Sequence, residues 1–217
     1  MKKTLLLATT IFCLLNLINA QSDRLDSSFG TNGIVKTYLG KTFNYGAPPA
    51  GKILPLPDGS IYIIHWDAGT YQNYFSKRRS DGSIDSSFGL NGQSADAGLV
   101  ITEAAIQQDG KIVVTGSSDN FDFAVSRYNT NGSLDSSFSD DGKQTTDLGE
   151  NYNESTWSVV IQKDKKILVA GVSYGAVYNY VSLARYNTNG SLDSTFNNNG
   201  LLKTDLLTYN TIPKVAL

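Results

Sequence analysis

The ten residues RYNTNGSLDS stand at positions 127–136 and return without a single change at positions 185–194. Each copy runs into a shorter signature, Asp-Ser-Ser/Thr-Phe, which occurs four times at a spacing of 50 to 59 residues. A fixed period of this length is typical of an array in which one supersecondary unit is copied along the chain. The recurring residues of the signature are Asp26, Asp85, Asp135, Asp193, Phe29, Phe88, Phe138 and Phe196.

One copy of the repeat predicts four short antiparallel strands. In the second copy these are predicted at residues 99–107, 111–117, 121–128 and 143–147. Asp109-Gly110 joins the first two as a tight turn, because glycine reaches positive φ without steric penalty. Gly132 has the same role in the next turn, and Gly190 matches it in the following copy. No useful helix is predicted beyond the N-terminal segment, so the fold class is all-β.

Four-stranded units that repeat every 50 to 60 residues are typical of β-propeller blades, which pack face to face because one blade cannot bury both of its faces. About three complete blades are predicted, at roughly residues 45–97, 98–150 and 151–206. A β-sandwich also explains the hairpins, but not the near-identical copies. We expect an incomplete ring from a longer product, since a fourth strand at 34–37 has no blade before it and 207–217 begin a further blade.

Residues 1–20 have the pattern of a secretory signal peptide, with two lysines, an apolar stretch and the small residue Ala20. A transmembrane anchor is the competing interpretation, but two asparagines interrupt the short stretch. The sequence therefore predicts a secreted or cell-surface protein whose mature repeat domain is 21–217, with no membrane span after signal removal.

Composition excludes several classes of function. Cys13, the only cysteine, lies in the predicted signal, so the mature domain has no disulfide, cysteine-ligated zinc or thiol nucleophile. Two of the 18 Lys and Arg residues also lie there, whereas all 20 Asp and Glu residues follow it. The resulting mild acidity argues against nucleic acid as a partner, because nucleic-acid-binding proteins concentrate positive charge.

A cation and a carboxylate recur together in each copy. The pairs are Arg127 with Asp135, Arg185 with Asp193, and Lys77 with Asp85. They predict an ion pair that ties the third strand to the following turn, or an aspartate that accepts hydrogen bonds from backbone amides. Both roles are structural, since a propeller active site is usually built once, by loops at one end of the ring. No catalytic residue is predicted.

Two other motifs are interpreted as structural. The cluster from Asn129 to Asp135 is rich in oxygen ligands, but its glycine falls at the fourth position and its twelfth residue is Asp140 instead of glutamate. It predicts a hairpin turn, and neither a metal nor a cofactor is predicted. His65, the only histidine, shares a strand face with Asp67 but has no nucleophile motif nearby, so we expect a solvent-facing histidine at a strand end.

Aromatic residues between the second and third strands are candidates for ligand contact, because tyrosine offers a rigid apolar face with a polar tip, which suits glycans. Alternation of some of them into the sheet core is the other interpretation. The candidates are Tyr71, Tyr74, Tyr174, Tyr178 and Tyr180.

The pattern from Asp109 to Gly142, DGKIVVTG followed by FAVSRYNTNGSLDSSF and a closing glycine, resembles the delta-60 repeat. The resemblance covers essentially the whole mature chain and implies a β-propeller of a secreted bacterial family without an agreed activity. The first copy departs from the pattern at His65, where the later copies have glycine, and at Arg78, where they have tyrosine.

Two functions are compatible with these observations. The first is a non-enzymatic exported module that serves as a binding or cell-surface scaffold for protein or polysaccharide. The alternative is a fragment of a propeller enzyme that acts on glycans or peptides, with its active site in blades outside this sequence. Acidic and histidine residues clustered at one rim of further blades would favour the enzyme, and further plain copies would favour the scaffold.

Overall fold

The computed structural model describes the residues 26–35, 51–67, 72–95, 98–149, 153–175 and 179–205. Within these ranges the chain forms twelve β-strands and no helix, so the all-β prediction is confirmed. The described segments accordingly contain no helix with the length and apolar character that crossing a membrane requires. The predicted signal peptide, 1–20, and the predicted start of a further blade, 207–217, lie outside the described residues.

The strands form three four-stranded antiparallel sheets, each with its strands in chain order. Blade 1 consists of β1 (Lys52–Pro55), β2 (Ile61–Asp67), β3 (Gln72–Arg78) and β4 (Gln93–Ala95). Blade 2 consists of β5 (Val100–Ile106), β6 (Ile112–Ser117), β7 (Phe123–Tyr128) and β8 (Lys143–Thr146). Blade 3 consists of β9 (Glu154–Ile161), β10 (Ile167–Tyr174), β11 (Asn179–Tyr186) and β12 (Leu201–Asp205). The three blades do not close a ring over the described part of the chain.

The strand predictions differ from the structure by more than one residue in two places. The third strand of blade 2 begins at Phe123, two residues later than predicted, because Phe121 has a φ of 62° and its N–H donates to Ser118 O in a turn. The strand predicted at residues 34–37 is represented by Ile34 alone, which forms an isolated bridge with Thr31, and residues 36 and 37 lie outside the description.

Two apolar layers hold the blades together, one on each face of blade 2. Side chains alternate along β6, so Ile112 and Val114 pack towards blade 1 while Val113 packs towards blade 3. Strand β7 does the same with Ala124 and Phe123. All five side chains are buried. Blade 2 therefore buries both of its faces, as stacked blades predict.

In blades 1 and 2, the signature phenylalanine lies under a turn of the next blade. Phe138 is fully buried, and a Cβ added at Gly190 of blade 3 would lie 3.2 Å from its ring. The following residue, Ser139, donates its N–H to Asn189 O at 2.8 Å. Only glycine fits this approach at a φ of 90°. The repeated phenylalanine and glycine are therefore the two halves of one contact between blades.

The backbone hydrogen bond of this contact recurs at the other two junctions. Gly89 donates its N–H to Asn131 O at 2.7 Å, and Gly30 donates to Asp81 O at the same distance. Phe29, in the first signature, is half-buried. The segment 26–35 thus meets blade 1 through the same backbone hydrogen bond that links blades 1 and 2.

Candidate functional site

The recurring aspartates lie at the centre of a charged network in each blade. In blade 2, Arg127 Nε donates to Asp135 Oδ2 at 2.6 Å, and Lys111 Nζ donates to the same oxygen at 2.7 Å. Ser137 donates to the other oxygen from its N–H and its hydroxyl. Burial alone would raise the pKa of Asp135, but hydrogen bonds from Lys111, Ser137 and Arg127 hold that pKa well below its usual range. Asp135 is therefore a charged structural residue.

The other blades repeat this network. Asp193 is 2.7 Å from Arg185 Nε and 2.9 Å from Lys166 Nζ, and Asp85 is 3.3 Å from Lys77 Nζ. The structure thus contains both predicted interactions, the ion pair and the backbone-amide contact. Sequence reasoning missed the second lysine of blades 2 and 3, although its place in the recurring Asp-x-Lys turn was visible.

His65 lies inside β2 and is 7% exposed, so the prediction of a solvent-facing histidine at a strand end is wrong. Its partner in the ladder is Tyr74, and the two rings stack with centroids 5.9 Å apart. The imidazole is therefore packed against an aromatic ring within the sheet and does not face solvent.

The tyrosine candidates are distributed over two blades. Tyr71 and Tyr178 lie outside the described residues. Tyr74 is half-buried within β3, Tyr174 ends β10 at 40% exposure, and Tyr180 in β11 has Lys203 Nζ 6.0 Å from its ring centroid. The described tyrosines are thus strand residues in blades 1 and 3, with blade 2 between them, and do not form one surface. Their contact with a ligand stays a prediction.

A cavity of about 410 Å³ lies between blades 2 and 3, where the first strand of each blade ends in its turn. Residues 106–109 of blade 2 line one side, and Ile161, Gln162, Lys163 and Lys165 of blade 3 line the other. The two sides are equivalent segments of the repeat, brought together because β5 packs beside β9. The cavity volume is within the range of small-molecule binding sites.

Two glutamines of the cavity carry buried oxygen atoms with no hydrogen-bond partner. The Oε1 atoms of Gln107 and Gln162 accept no hydrogen bond from any described residue. Both glutamines open the same turn, in which Gln107 N–H donates to Lys111 O and Gln162 N–H donates to Lys166 O, each at 2.8 Å. Leu56 opens the equivalent turn of blade 1 with the same backbone hydrogen bond. The turn therefore does not require glutamine.

Glutamine at these positions is costly for folding. A buried acceptor without a partner destabilises a protein by about 1–3 kcal/mol, whereas a leucine of similar size at the same place costs nothing of this kind. Gln107 is 8% exposed, and the carbonyl oxygen of each glutamine is shielded from solvent. Because both oxygens are shielded from the cavity as well as from bulk solvent, they do not add hydrogen-bond acceptors to its surface.

At the rim of the cavity, a lysine has a backbone conformation that favours glycine. Lys165 has a φ of 67°, a left-handed conformation that Gly59 and Gly110 adopt in the equivalent turns of blades 1 and 2. A side chain in that region costs about 1–2 kcal/mol, which glycine avoids. Neither Lys165 nor Lys163 forms an ion pair with a described residue. Blade 3 thus places two unpaired positive charges at the mouth of the cavity.

A second polar cluster, which we call the acidic cluster, consists of Asp122, Asp147 and Glu154. Their carboxylate oxygens lie within 4.8 Å of one another, an arrangement that can hold a divalent cation. Glu154 is 2% exposed and accepts hydrogen bonds from Leu148 N–H at 3.0 Å and Phe123 N–H at 3.4 Å. Glu154 therefore links the start of blade 3 to two segments of blade 2.

The pKa of Glu154 is raised to about 7, chiefly by burial and further by the charges of Asp147 and Asp122, against the opposing effect of its two backbone hydrogen bonds. Burial, followed by the charge of Asp147, also raises the pKa of Asp122. Sequence reasoning predicted no metal ligand and did not single out these residues, because they come from three separate segments and do not recur in every copy.

A protein family described as "Domain of unknown function (DUF5122) beta-propeller" matches residues 107–138 and 162–196. The first match runs from the turn of Gln107 to Phe138, and the second runs from the turn of Gln162 to Phe196. No curated protein matches the chain. The matched segments and the three stacked sheets together identify the fold as a β-propeller array, whereas the delta-60 resemblance stays a prediction.

Proposed function

We propose that this protein is an exported, non-enzymatic β-propeller module that binds a protein or polysaccharide at the cell surface through the cavity between blades 2 and 3. The observation that carries the proposal is the cavity itself, whose volume of about 410 Å³ is within the range of small-molecule binding sites. Equivalent turns of two neighbouring blades line it with isoleucine, amide and lysine side chains.

A binding role without catalysis is supported by the recurring aspartates, which form ion pairs within their own blades. Asp85, Asp135 and Asp193 are bound by basic side chains of their own blade, which fixes them as charged structural residues. The cavity itself is lined by amide, lysine and isoleucine side chains with one carboxylate, Asp109. Such a lining suits recognition by hydrogen bonds better than general acid–base chemistry, which needs a positioned proton donor and acceptor.

The experiment is a glycan and surface-protein array probed with the purified protein, followed by titration of each retained ligand. The double variant Gln107→Leu/Gln162→Leu is expected to lose binding, and Gln93→Leu, which changes an exposed glutamine of β4, is the matched control. An array without any retained ligand, or a ligand bound equally by the double variant, would refute the proposal. Hydrolysis of a retained ligand by the protein would contradict the non-enzymatic part.

Export is tested separately by expressing the whole chain in a Gram-negative host and measuring the mass of the protein in each cell fraction. We expect a product that begins at Gln21 and lies outside the cytoplasm, because residues 1–20 carry the signal pattern. An unprocessed cytoplasmic product would contradict export and leave the binding test unaffected.

A further inference from the structure

We propose that Asn32 and Asn91 are sites of spontaneous modification, at which the side-chain amide is hydrolysed to aspartate or isoaspartate in the folded protein. The chain contains five Asn-Gly pairs, all in turns, and all five asparagines are exposed. Solvent access therefore does not distinguish them, whereas their hydrogen bonds do. The proposal is independent of the cavity and of the proposed function. The pairs begin at Asn32, Asn91, Asn131, Asn189 and Asn199.

The reaction needs no reactant other than water. The main-chain nitrogen of the glycine attacks Cγ of the asparagine, so that a nitrogen–carbon bond closes a five-membered succinimide while the bond from Cγ to Nδ2 breaks. Ammonia leaves with the proton that the main-chain nitrogen gives up. Water then opens the ring at one of its two carbonyls, which gives aspartate or isoaspartate. Glycine permits the attack most readily because it has no side chain to obstruct it, and asparagine is accordingly a thermolabile residue.

Hydrogen bonds hold the pair of blade 2 against this attack. Gly132 N–H donates to Asn129 O at 2.9 Å, and Asn131 O accepts from Gly89 N–H of blade 1 at 2.7 Å. The side-chain oxygen of Asn131 accepts from the N–H of Ser133 at 3.0 Å and from its hydroxyl at 2.8 Å. The attacking nitrogen is therefore already engaged as a donor, and neither the peptide nor Cγ can rotate towards the other without breaking these bonds.

The equivalent pair of blade 3 is held in the same way. Gly190 N–H donates to Asn187 O at 3.0 Å, and Asn189 O accepts from Ser139 N–H of blade 2 at 2.8 Å. Ser191 donates its N–H and its hydroxyl to Asn189 Oδ1. The stacking of the blades thus fixes the peptide unit of Asn131 and that of Asn189.

The pair in the signature turn of blade 3 is also held, although by fewer bonds. Gly200 N–H donates to Phe196 O at 2.7 Å, and Asn199 Oδ1 accepts from Leu201 N–H at 3.0 Å. Its attacking nitrogen is therefore engaged as well.

The signature turn of blade 1 has the same length but another conformation, which leaves its pair unrestrained. Leu90 and Gln93 exchange two backbone hydrogen bonds, at 2.7 and 3.2 Å, and enclose Asn91 and Gly92 with φ values of 54° and 85°. This is a two-residue hairpin turn with positive φ at both central residues. Neither the N–H of Gly92 nor the side chain or carbonyl of Asn91 forms a hydrogen bond with a described residue.

The turn in the segment before blade 1 repeats this conformation. Thr31 and Ile34 exchange hydrogen bonds at 2.9 and 3.2 Å, and Asn32 and Gly33 have φ values of 53° and 79°. Among the described residues, the N–H of Gly33 and the side chain of Asn32 again have no hydrogen-bond partner. In both turns the attacking nitrogen and Cγ can approach each other while the strands stay paired.

The two products have different consequences for the fold. The repeat accepts aspartate, since Asp141 has the place in blade 2 that Asn91 has in blade 1, and Asp81 has the place of Asn131. Isoaspartate instead adds a carbon atom to the main chain within a two-residue turn. Strand β4, which starts directly after Gly92, has three residues and pairs only with β3 among the described strands. We expect isoaspartate at position 91 to weaken this pairing.

The test is incubation of the purified protein at about pH 8, followed by trypsin digestion at mildly acidic pH and mass spectrometry. Trypsin places Asn32, Asn91 and Asn131 in separate peptides, and fragment spectra separate Asn189 from Asn199. The pairs at positions 32 and 91 are expected to convert about tenfold or more faster than those at 131 and 189, because the latter must first lose several hydrogen bonds.

Two controls isolate the effect of the fold. In concentrated urea the turns are absent, and all five pairs are expected to convert at similar rates because they share the Asn-Gly sequence. The variant Asn91→Gln keeps an amide on a longer side chain, which does not close a five-membered ring with the nitrogen of Gly92. It is expected to stay unmodified at position 91 while Asn32 converts as before, and its melting curve verifies that it is folded.

Each result decides for or against the proposal. Equal rates for all five pairs in the folded protein, or faster conversion of Asn131 than of Asn91, would overturn it. If Asn32 and Asn91 convert in urea but stay intact in the folded protein, their turns are protected and the proposal is wrong. Hydrogen exchange then tests the consequence, since the isoaspartate form should exchange the amides of β4 faster than the aspartate form.

Discussion

Replacement of Glu154 by glutamine tests whether a buried carboxylate sets the pH dependence of stability at the junction of blades 2 and 3. Glu154 is 2% exposed, and its oxygens share one small volume with the carboxylates of Asp122 and Asp147. Its pKa is raised from 4.5 in a model peptide to about 7, first by burial and then, less strongly, by the two aspartates. Ionised Glu154 is therefore less favourable in the folded protein than in the unfolded chain.

The sign and the magnitude follow from this shift. Because the folded pKa is raised, the contribution of Glu154 to stability is fully present below about pH 4.5 and is lost as the pH rises through about 7. One pKa unit corresponds to 1.36 kcal/mol, so the whole shift amounts to about 3 kcal/mol. Solvent near the exposed Asp147 screens part of the effect, and we expect about 2 kcal/mol.

The Glu154→Gln variant keeps the shape of the side chain and an oxygen that accepts from Leu148 N–H, but it removes the charge. The assay is urea unfolding followed by tryptophan fluorescence for both proteins at intervals between pH 4.5 and 8.5. We expect the variant to gain about 2 kcal/mol relative to the unchanged protein across this range, most of it between pH 5 and 7.5. The absolute stability curve carries contributions from other groups, and the difference between the two proteins isolates Glu154.

Asp147→Asn is the matched control for the electrostatic part of this argument. Its side chain can still accept the N–H of Gly149, now bound at 2.6 Å, while the negative charge next to Glu154 disappears. The pH at which stability falls should then shift downward, because one cause of the raised pKa is gone. Parallel stability curves for the unchanged protein and the Glu154→Gln variant at all pH values would refute the reasoning.

Three further substitutions test the structural reading by urea unfolding. Phe138→Ala should cost about 3–5 kcal/mol by leaving a cavity between blades, whereas Phe121→Ala, at an exposed phenylalanine, should cost far less; equal losses would contradict the blade contact. Gly132→Val should cost at least about 1–2 kcal/mol, because φ is 87° and a Cβ would lie 3.0 Å from the Phe88 ring; an unchanged unfolding midpoint would exclude this strain. Lys165→Gly should stabilise by about 1 kcal/mol, and destabilisation would show that its turn is unstrained.

The repeated features of the fold were predictable because each is written several times in the chain. Asn131-Gly132 predicts a turn because both residues accept positive φ. Phenylalanine ends every copy of the Asp-Ser-Ser/Thr-Phe signature, as Phe138 does in the second complete copy, which predicts a shared packing position. The pairing of Asp135 with Arg127 was visible for the same reason. Such features depend on residues close in sequence, or on a contact that every blade makes in the same way.

The candidate sites were not predictable, because they depend on how one blade lies against the next. Gln107 and Gln162 are 55 residues apart in sequence, and each lies in a turn that the sequence presents as ordinary. Only the packing of β5 beside β9 brings the two turns to one cavity. The acidic cluster likewise needs Asp122 and Glu154 to approach from different blades. His65 was misjudged because a polar side chain near a strand end was expected to face solvent, whereas Tyr74 covers it within the sheet.

Comparison of the blades separates what the fold requires from what it merely tolerates. Where the blades agree, as at the signature phenylalanines and aspartates, each residue has a contact that explains it. Where the blades differ at equivalent turn positions, one blade has a residue that costs less stability. Blade 1 has Leu56 where the other blades have glutamine, and blade 2 has Gly110 where blade 3 has Lys165. Natural proteins lie just above a stability threshold, so residues with a modest cost can persist at such positions. Because Gln107, Gln162 and Lys165 all line one cavity, these costs are concentrated where blade 2 meets blade 3.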